Sequence, residues 1–337
     1  MRNFIFIIFA LCISLISCNQ KKELEQVKFN GEAQGTYYFI TYYDDNATNF
    51  QIQIDSILKA FDMSVSLWQP TSVICKVNCN DSTVILDSIF IDIFNKSMRI
   101  CKETDGDFDV TVGQLVNAWG FGFESRSKLN QHKVDSLLKY IGYQNVELKN
   151  GSLIKNNSNI KIDFNAIAQG YSVDVIANFF ESKGISNYLI DVGGEVIGKG
   201  SKPDGSKWMV GIEKPAQNAE DERVLEAKIE LFNKALATSG NYRKYYEENG
   251  VRYSHTINPK TGYPVQHTLL SASVIAENTW EADAYATAFM VMGLDKSKEF
   301  LNRNKQLEAY FIYSDETGKF KTFSTSGLKG KIEELQH

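Results

Sequence analysis

The chain has 337 residues, 43% of them hydrophobic, which is enough apolar mass for one large domain or two ordinary ones. With 36 Lys and Arg against 41 Asp and Glu, the net charge is -5, so no basic excess points to nucleic acid. An anionic small molecule would need local help from a metal or from backbone amides.

In chain order, the first element is a leader. Arg2 precedes an apolar run from Phe4 to Ile16, shorter than the ~20 residues that span a bilayer, so it reads as the core of a secretion signal. Leu15-Ile16-Ser17-Cys18 resembles the lipobox of bacterial lipoproteins. That resemblance implies cleavage before Cys18 and a diacylglycerol thioether on its sulfur. The alternative is a plain signal peptide with an incidental Cys. Acyl chains contribute about 0.8 kcal/mol per buried methylene, so a multiply acylated Cys18 would hold the mature protein on a membrane. The expected organisation is a signal over 1–17, a lipidated Cys and polar tether over 18–28, and one enzyme-sized domain over 29–337. Of the five Cys, Cys12 leaves with the leader and Cys18 carries lipid, leaving Cys75, Cys79 and Cys101. An odd number is no disulfide framework. A local Cys75–Cys79 bridge stays open, a zinc half-site lacks a second pair, and unpaired thiols are the expectation.

Gly35 to Thr41 is rich in β-branched and aromatic residues and predicts a strand. Ile54, Ile57, Leu58 and Phe61 repeat at helical spacing and predict a helix over 51–62. Further helices are expected over Asp87–Glu103, Gln131–Tyr140 and Ala166–Lys183, the last ended by Gly184. Strands follow over Tyr188–Val196, Trp208–Ile212, Val224–Leu231, Tyr253–Ile257 and Ser271–Ala276. Thr279–Met292 returns to helix, and Ala309–Tyr313 and Lys319–Phe323 close the chain as strands. Helices and strands in separate blocks predict an α+β fold with mixed or antiparallel sheets, in a single unit.

Polar segments punctuate this pattern. Asp105, Asp107 and Asp109 surround Gly106 ahead of Trp119-Gly120-Phe121-Gly122. Their spacing is not that of a calcium loop, and a helix-ending turn with Asp caps is the plain reading. Asp163 and Asn165 precede a helix, where they are either caps or mark a helix start that faces a phosphate or a metal. Gly193 and Gly194 inside a strand pattern imply a bulge or a close approach, and they are not a dinucleotide fingerprint. Ser125-Arg126-Ser127-Lys128 with Lys260-Thr261-Gly262 suggests a serine acyl enzyme, but no Ser-Asp-Asn element accompanies them. His255 adjoins a turn dense in Pro and Gly and is structural or catalytic on this evidence alone. Asp283 and Thr287 lie one helical turn apart, so their oxygens share a face suited to magnesium, or Thr287 serves a helix contact.

Taken in order, these segments resemble the ApbE family of FAD:protein FMN transferases. The resemblance rests on Gly35-Thr36, Asp105-Gly106-Asp107-Phe108-Asp109-Val110-Thr111-Val112-Gly113, Trp119-Gly120-Phe121-Gly122, Ile167-Ala168-Gln169-Gly170-Tyr171 after Asp163, and Asp191 with Gly193-Gly194-Glu195. It continues through Thr238-Ser239-Gly240 with Tyr242-Arg243, Ser254-His255 with Ile257, Pro259 and Thr261-Gly262-Tyr263-Pro264, and Ala282-Asp283-Ala284 with Thr287. It implies a magnesium-dependent transferase that moves FMN from FAD to a Thr or Ser hydroxyl of an acceptor protein and releases AMP. The implied metal ligands are Asp283, Thr287 and the Ala166 carbonyl, and the implied base is His255. Trp68, Asp107, Phe108, Asp109, Asp163, Gln169 and Ile257 match FAD-contacting positions, with Glu195, Ser239 and Gly240 lining the same cleft. A flat ring at Trp68 or Phe108 is expected to stack on flavin or adenine. Gln34, Gln169 and Ala286 depart from the family's usual Met, Lys and acidic residue. Members are commonly exported lipoproteins, which implies a periplasmic site, at the inner membrane before the outer, with a membrane redox subunit as acceptor. The rival expectations are an FAD pyrophosphatase giving FMN and AMP, and a non-catalytic flavin-binding lipoprotein.

Overall fold

The structure is a computed structural model that describes residues 23–122, 129–215, 222–241, 245–248 and 251–335. The leader, Cys18, Ser125–Lys128 and the Tyr242-Arg243 pair therefore lie outside the described residues.

β1 (Glu25–Ala33) and β2 (Thr36–Asp44) form a hairpin through Gln34 and Gly35, both at positive φ as a tight two-residue turn requires. Residues 25–28, expected as part of a polar tether, belong to β1, where Glu25 pairs with Asp44. Along β2 the period-two rule separates buried Tyr38, Ile40 and Tyr42 from exposed Tyr37 and Phe39. The helices α1 (Gln51–Val65), α2 (Val73–Asn78) and α3 (Ser88–Glu103) follow, the last started by an Asp87 side chain that accepts the Phe90 amide. Next come α4 (Gly113–Ala118), α5 (Gln131–Leu138), a small hairpin of β3 (Val146–Lys149) and β4 (Ser152–Lys155), and α6 (Ala168–Ser182).

The segment expected as one strand over 188–196 is two. β5 (Tyr188–Val192) and β6 (Glu195–Lys199) form a hairpin, and Gly193 and Gly194 make its turn at positive φ. β7 (Trp208–Glu213), β8 (Leu225–Leu231), β9 (Lys234–Gly240) and the β10 (Tyr245–Glu248) and β11 (Val251–Ser254) hairpin precede β12 (Leu269–Ala276). The chain ends with α7 (Thr279–Met292), α8 (Leu294–Arg303), β13 (Glu308–Ser314), β14 (Phe320–Ser324) and β15 (Ile332–Glu334). β9, β10, α8 and β15 escape the sequence reading, as β1, α2, α4, β3 and β4 do earlier in the chain. β9 is built from small residues without the usual strand bulk.

An eight-stranded sheet runs in the order β1-β2-β5-β6-β9-β12-β13-β14, with every neighbouring pair antiparallel. Helices cover one face, over a core that includes Phe61, Phe90, Phe164, Phe289 and Phe311, continued under α6 by Tyr42, Phe180 and Tyr188. A three-stranded sheet, β15-β8-β7, covers part of the other face through Trp208, Leu231, Leu236 and Tyr310. The expected α+β class holds. In α7, Ala282, Ala284, Ala286 and Ala288 are all fully buried, and their small side chains let the helix lie close on β9 and β12. Cys75, Cys79 and Cys101 are free thiols, with no bridge between Cys75 and Cys79.

Candidate active site

α6 and α7 meet at their first turns. A Cβ at Gly170 would lie 2.5 Å from the Thr279 carbonyl oxygen and 2.7 Å from Asp283 Cβ, so the approach requires glycine. The contact lets each helix cap the other. The Gly170 amide donates to Asp283 Oδ2 (3.0 Å), while the Thr279 and Trp280 amides donate to Asp174 Oδ1 (2.9 Å) and Oδ2 (2.8 Å). A helix start leaves such amides without intrahelical partners. The residues at the two N-cap positions, Ile167 and Asn278, make no side-chain cap bond, and carboxylates from the facing helix take over.

Asp283 is 6% exposed, and among the described residues no Lys or Arg pairs with it. Burial, with the nearby Asp174 carboxylate adding to it, pushes Asp283 up to about 7, and the Gly170 amide only partly offsets this. Burial likewise lifts Asp174 to about 6. One turn after Asp283, the Thr287 hydroxyl lies 3.1 Å from Ser239 Oγ. On β9, Ala235, Ala237 and Ser239 occupy alternate positions, which places Ser239 on the face below α7. Ala166 stands in the turn ahead of α6, where Ile167 and Ala168 donate back to the Phe164 carbonyl. The Gly170 amide, which a regular helix would offer to the Ala166 carbonyl, goes to Asp283. That leaves the Ala166 carbonyl without its regular helix donor, and adds a backbone oxygen to the Asp283 carboxylate and the Thr287 hydroxyl as candidate donors. These hard oxygens fit magnesium, which takes one or two carboxylates and completes its shell with water and substrate phosphate. Among the described residues no cluster of three His, Cys, Asp or Glu side chains stands together.

The remaining candidates form a neighbouring body. Asp163 donates its amide to Val110 O (2.8 Å), Lys161 bridges to Val112, and the Asp163 carboxylate accepts the Asn165 amide (2.8 Å). This ties the 104–113 loop to the turn that carries Ala166. Trp119 donates Nε1–H to Gly262 O (2.8 Å), and Ile257 packs with Leu115, Trp119 and Val134. His255 stands edge-on to Phe121 with ring centroids 6.4 Å apart. Ser254 ends β11, and Ile257 bridges to Pro264, so the expected strand over Tyr253–Ile257 stops where the proline-bounded turn begins. Lys260 Nζ lies 2.9 Å from Asp107 Oδ1, and Lys296 pairs with the same carboxylate.

Several expected roles change with this geometry. Phe108 is 3% exposed and part of the main core, so its ring has no face for a flavin. The Asp109 carboxylate is committed inward, to the Thr111 amide and hydroxyl and the Tyr143 amide, and burial raises its pKa. Asp107 holds two lysines. The Asp107 and Phe108 amides are used within the loop as well, by the Thr104 carbonyl and hydroxyl. Trp68 is 59% exposed on the loop after α1 and keeps a free ring face. Gln169 donates to Val192 O (3.1 Å) against Gly193, which joins the hairpin carrying Glu195 to the start of α6. Ser239 and Gly240 end β9 beside α7. Sequence reasoning missed Asp174, Gly170 and Lys296. A glycine inside a helical pattern, one turn before an Asp, was the available signal for the first two.

The model of the ApbE family matches residues 34–311. The chain is 35% identical to the FAD:protein FMN transferase of Haemophilus influenzae, with 95% of each chain covered, and 33% identical to that of Vibrio cholerae, with 98% of each covered. Among solved structures, it is similar to the flavin transferase ApbE from Vibrio cholerae, with a TM-score of 0.81, 32% identity and coverage of 92% of this chain and 100% of that one. It is equally similar, at a TM-score of 0.81 and 29% identity, to the Pseudomonas stutzeri flavinyl transferase ApbE, covering 91% of this chain and 97% of that one.

Proposed function

The chain belongs to the ApbE family, and on that premise we propose that it transfers FMN from FAD to the hydroxyl of a Thr or Ser on an acceptor protein, with magnesium held at Asp283, Thr287 and the Ala166 carbonyl. The observation that carries the metal assignment is Asp283: a buried carboxylate given one backbone amide, a second carboxylate nearby and no cationic side chain among the described residues. Uncompensated buried charge is costly, and a cation removes that cost. A bound magnesium would neutralise the pyrophosphate and stabilise the departing phosphate.

The chain's own residues do the rest. His255 accepts the proton of the acceptor hydroxyl, whose oxygen then attacks the phosphorus on the FMN side. The bridging P–O bond breaks, AMP departs with those electrons, and FMN stays on the acceptor through a phosphoester. Trp68 offers a ring face to a flat base or flavin. Gln169 and the Gly193 turn line the approach to the phosphates, where positioning carries most of the catalysis. The same reading makes residues 1–17 a cleaved leader and Cys18 a lipid anchor. The enzyme then works on the periplasmic side of a membrane, on a flavin subunit of a redox complex. The lipobox-like Leu15-Ile16-Ser17-Cys18 supports this.

Mass spectrometry of a co-expressed acceptor tests the proposal. Wild type adds the mass of FMN, and Asp283→Ala and His255→Ala do not, while circular dichroism shows both variants folded. Transfer by Asp283→Ala at the wild-type rate would overturn the metal assignment.

A further inference from the structure

Asp174 takes no part in the chemistry above, yet it ties the start of α7 to α6. Its two carboxylate oxygens accept the Thr279 and Trp280 amides at 2.9 and 2.8 Å. α3 holds the same turn from another side. Lys96 Nζ lies 5.2 Å from the ring centroids of both Tyr171 and Trp280, and Arg99 lies 4.5 Å from that of Trp280 and pairs with Glu281. α7 is rigid over the roughly two turns from Thr279 to Thr287. A tilt or slide of its first turn therefore reaches the Asp283 and Thr287 oxygens almost undiminished. Hydrophobic packing absorbs such shifts, whereas magnesium coordination demands near-ideal octahedral geometry.

We propose that Asp174 is a positioning residue: by gripping the first turn of α7 it sets the spacing between the Asp283 and Thr287 oxygens and the Ala166 carbonyl ahead of α6. This rests on the metal assignment above. A carboxylate suits the task because it accepts both amides. An Asn would turn its own N–H toward one of them, so one grip is lost while the shape is kept.

The test is a magnesium titration of wild type and variants, read in two ways: by FAD turnover and by the melting temperature of the FAD-loaded protein without acceptor. Asp174→Asn raises the half-saturating magnesium concentration about tenfold or more in both readouts, the range for residues that orient metal ligands, while saturating magnesium restores most of the turnover. Adding Asn278→Asp puts a negative charge at the N-cap, where it attracts the first-turn amides that Asp174 no longer holds. The double variant regains the lost melting temperature but keeps the weakened magnesium response. If it regains both, Asp174 is a helix cap and the inference is wrong. An unchanged half-saturation in Asp174→Asn also defeats it. Should that variant not fold, Thr279→Pro removes one of the two gripped N–H groups at a first helical position where proline is tolerated, after an already extended Asn278. It too must raise the half-saturation, and no change refutes the inference. A wild type indifferent to magnesium sinks the metal reading and this inference together. A responsive wild type with indifferent variants sinks the inference alone.

Discussion

Asp283→Asn separates the cost of the site from its use. The substitution keeps an oxygen for the Gly170 amide and removes the charge. In the folded protein Asp283 is pushed from 3.8 up to about 7 by burial. At 1.36 kcal/mol per unit, holding it ionised costs the metal-free fold at most about 4 kcal/mol. Between these two values the folded state keeps a proton that the unfolded chain has released, so stability falls as pH rises through this window and the loss is complete above about 7. Thermal melting in EDTA from pH 4 to 8 should therefore show the two proteins together at the acid end. The Asn variant should pull several degrees ahead by pH 8. Asp174, lifted by burial to about 6, titrates in both proteins, and because its charge adds to the Asp283 shift, removing the Asp283 charge also relieves that repulsion and widens the gap above this pH. Magnesium with FAD should stabilise wild type alone and close the gap, while the Asn variant transfers no FMN. A gap that does not change with pH, or an Asn variant that melts below wild type at pH 8 in EDTA, would refute the reasoning.

Three further substitutions test the surroundings. Gly170→Ala pits helix propensity, which favours Ala by about 1 kcal/mol, against overpacking on Thr279 and Asp283, which costs about 1–3 kcal/mol, so denaturant melts should show a net loss together with weaker transfer. Gln169→Lys can keep the donor to Val192 O and adds a positive charge at the approach to the phosphates, so KM for FAD should fall at low salt and the gain should fade at high salt. An unchanged KM would place residue 169 away from the pyrophosphate. Trp68→Ala should raise KM for FAD without changing the melting temperature, whereas Phe108→Ala should cost about 3–5 kcal/mol of stability because its ring is core.

What the sequence determined by itself was whatever depends on neighbours along the chain. Period-two and helical spacings place β2, α1 and α3, since burial on one face dictates them, whereas α7 is buried almost all round. The one-turn separation of Asp283 and Thr287 puts two oxygens on one helix face whatever that helix packs against. The ordered motifs carried the family, including Ser254-His255 and the Thr261-Gly262-Tyr263-Pro264 turn. Tertiary structure decided what those residues meet. Phe108 and Asp109 looked like ligand contacts but turn inward, because the 104–113 loop is pinned beneath the turn carrying Ala166. Gly193 and Gly194 are a hairpin turn because β5 and β6 both find partners in the large sheet. Asp174 and Asp283 exchange caps between helices far apart in the chain, and the fit at Gly170 that permits it exists only once both helices have docked. Spacing along a chain encodes the face of an element. The desolvation and pairing that set a carboxylate's chemistry come from distant segments, which only the folded molecule brings together.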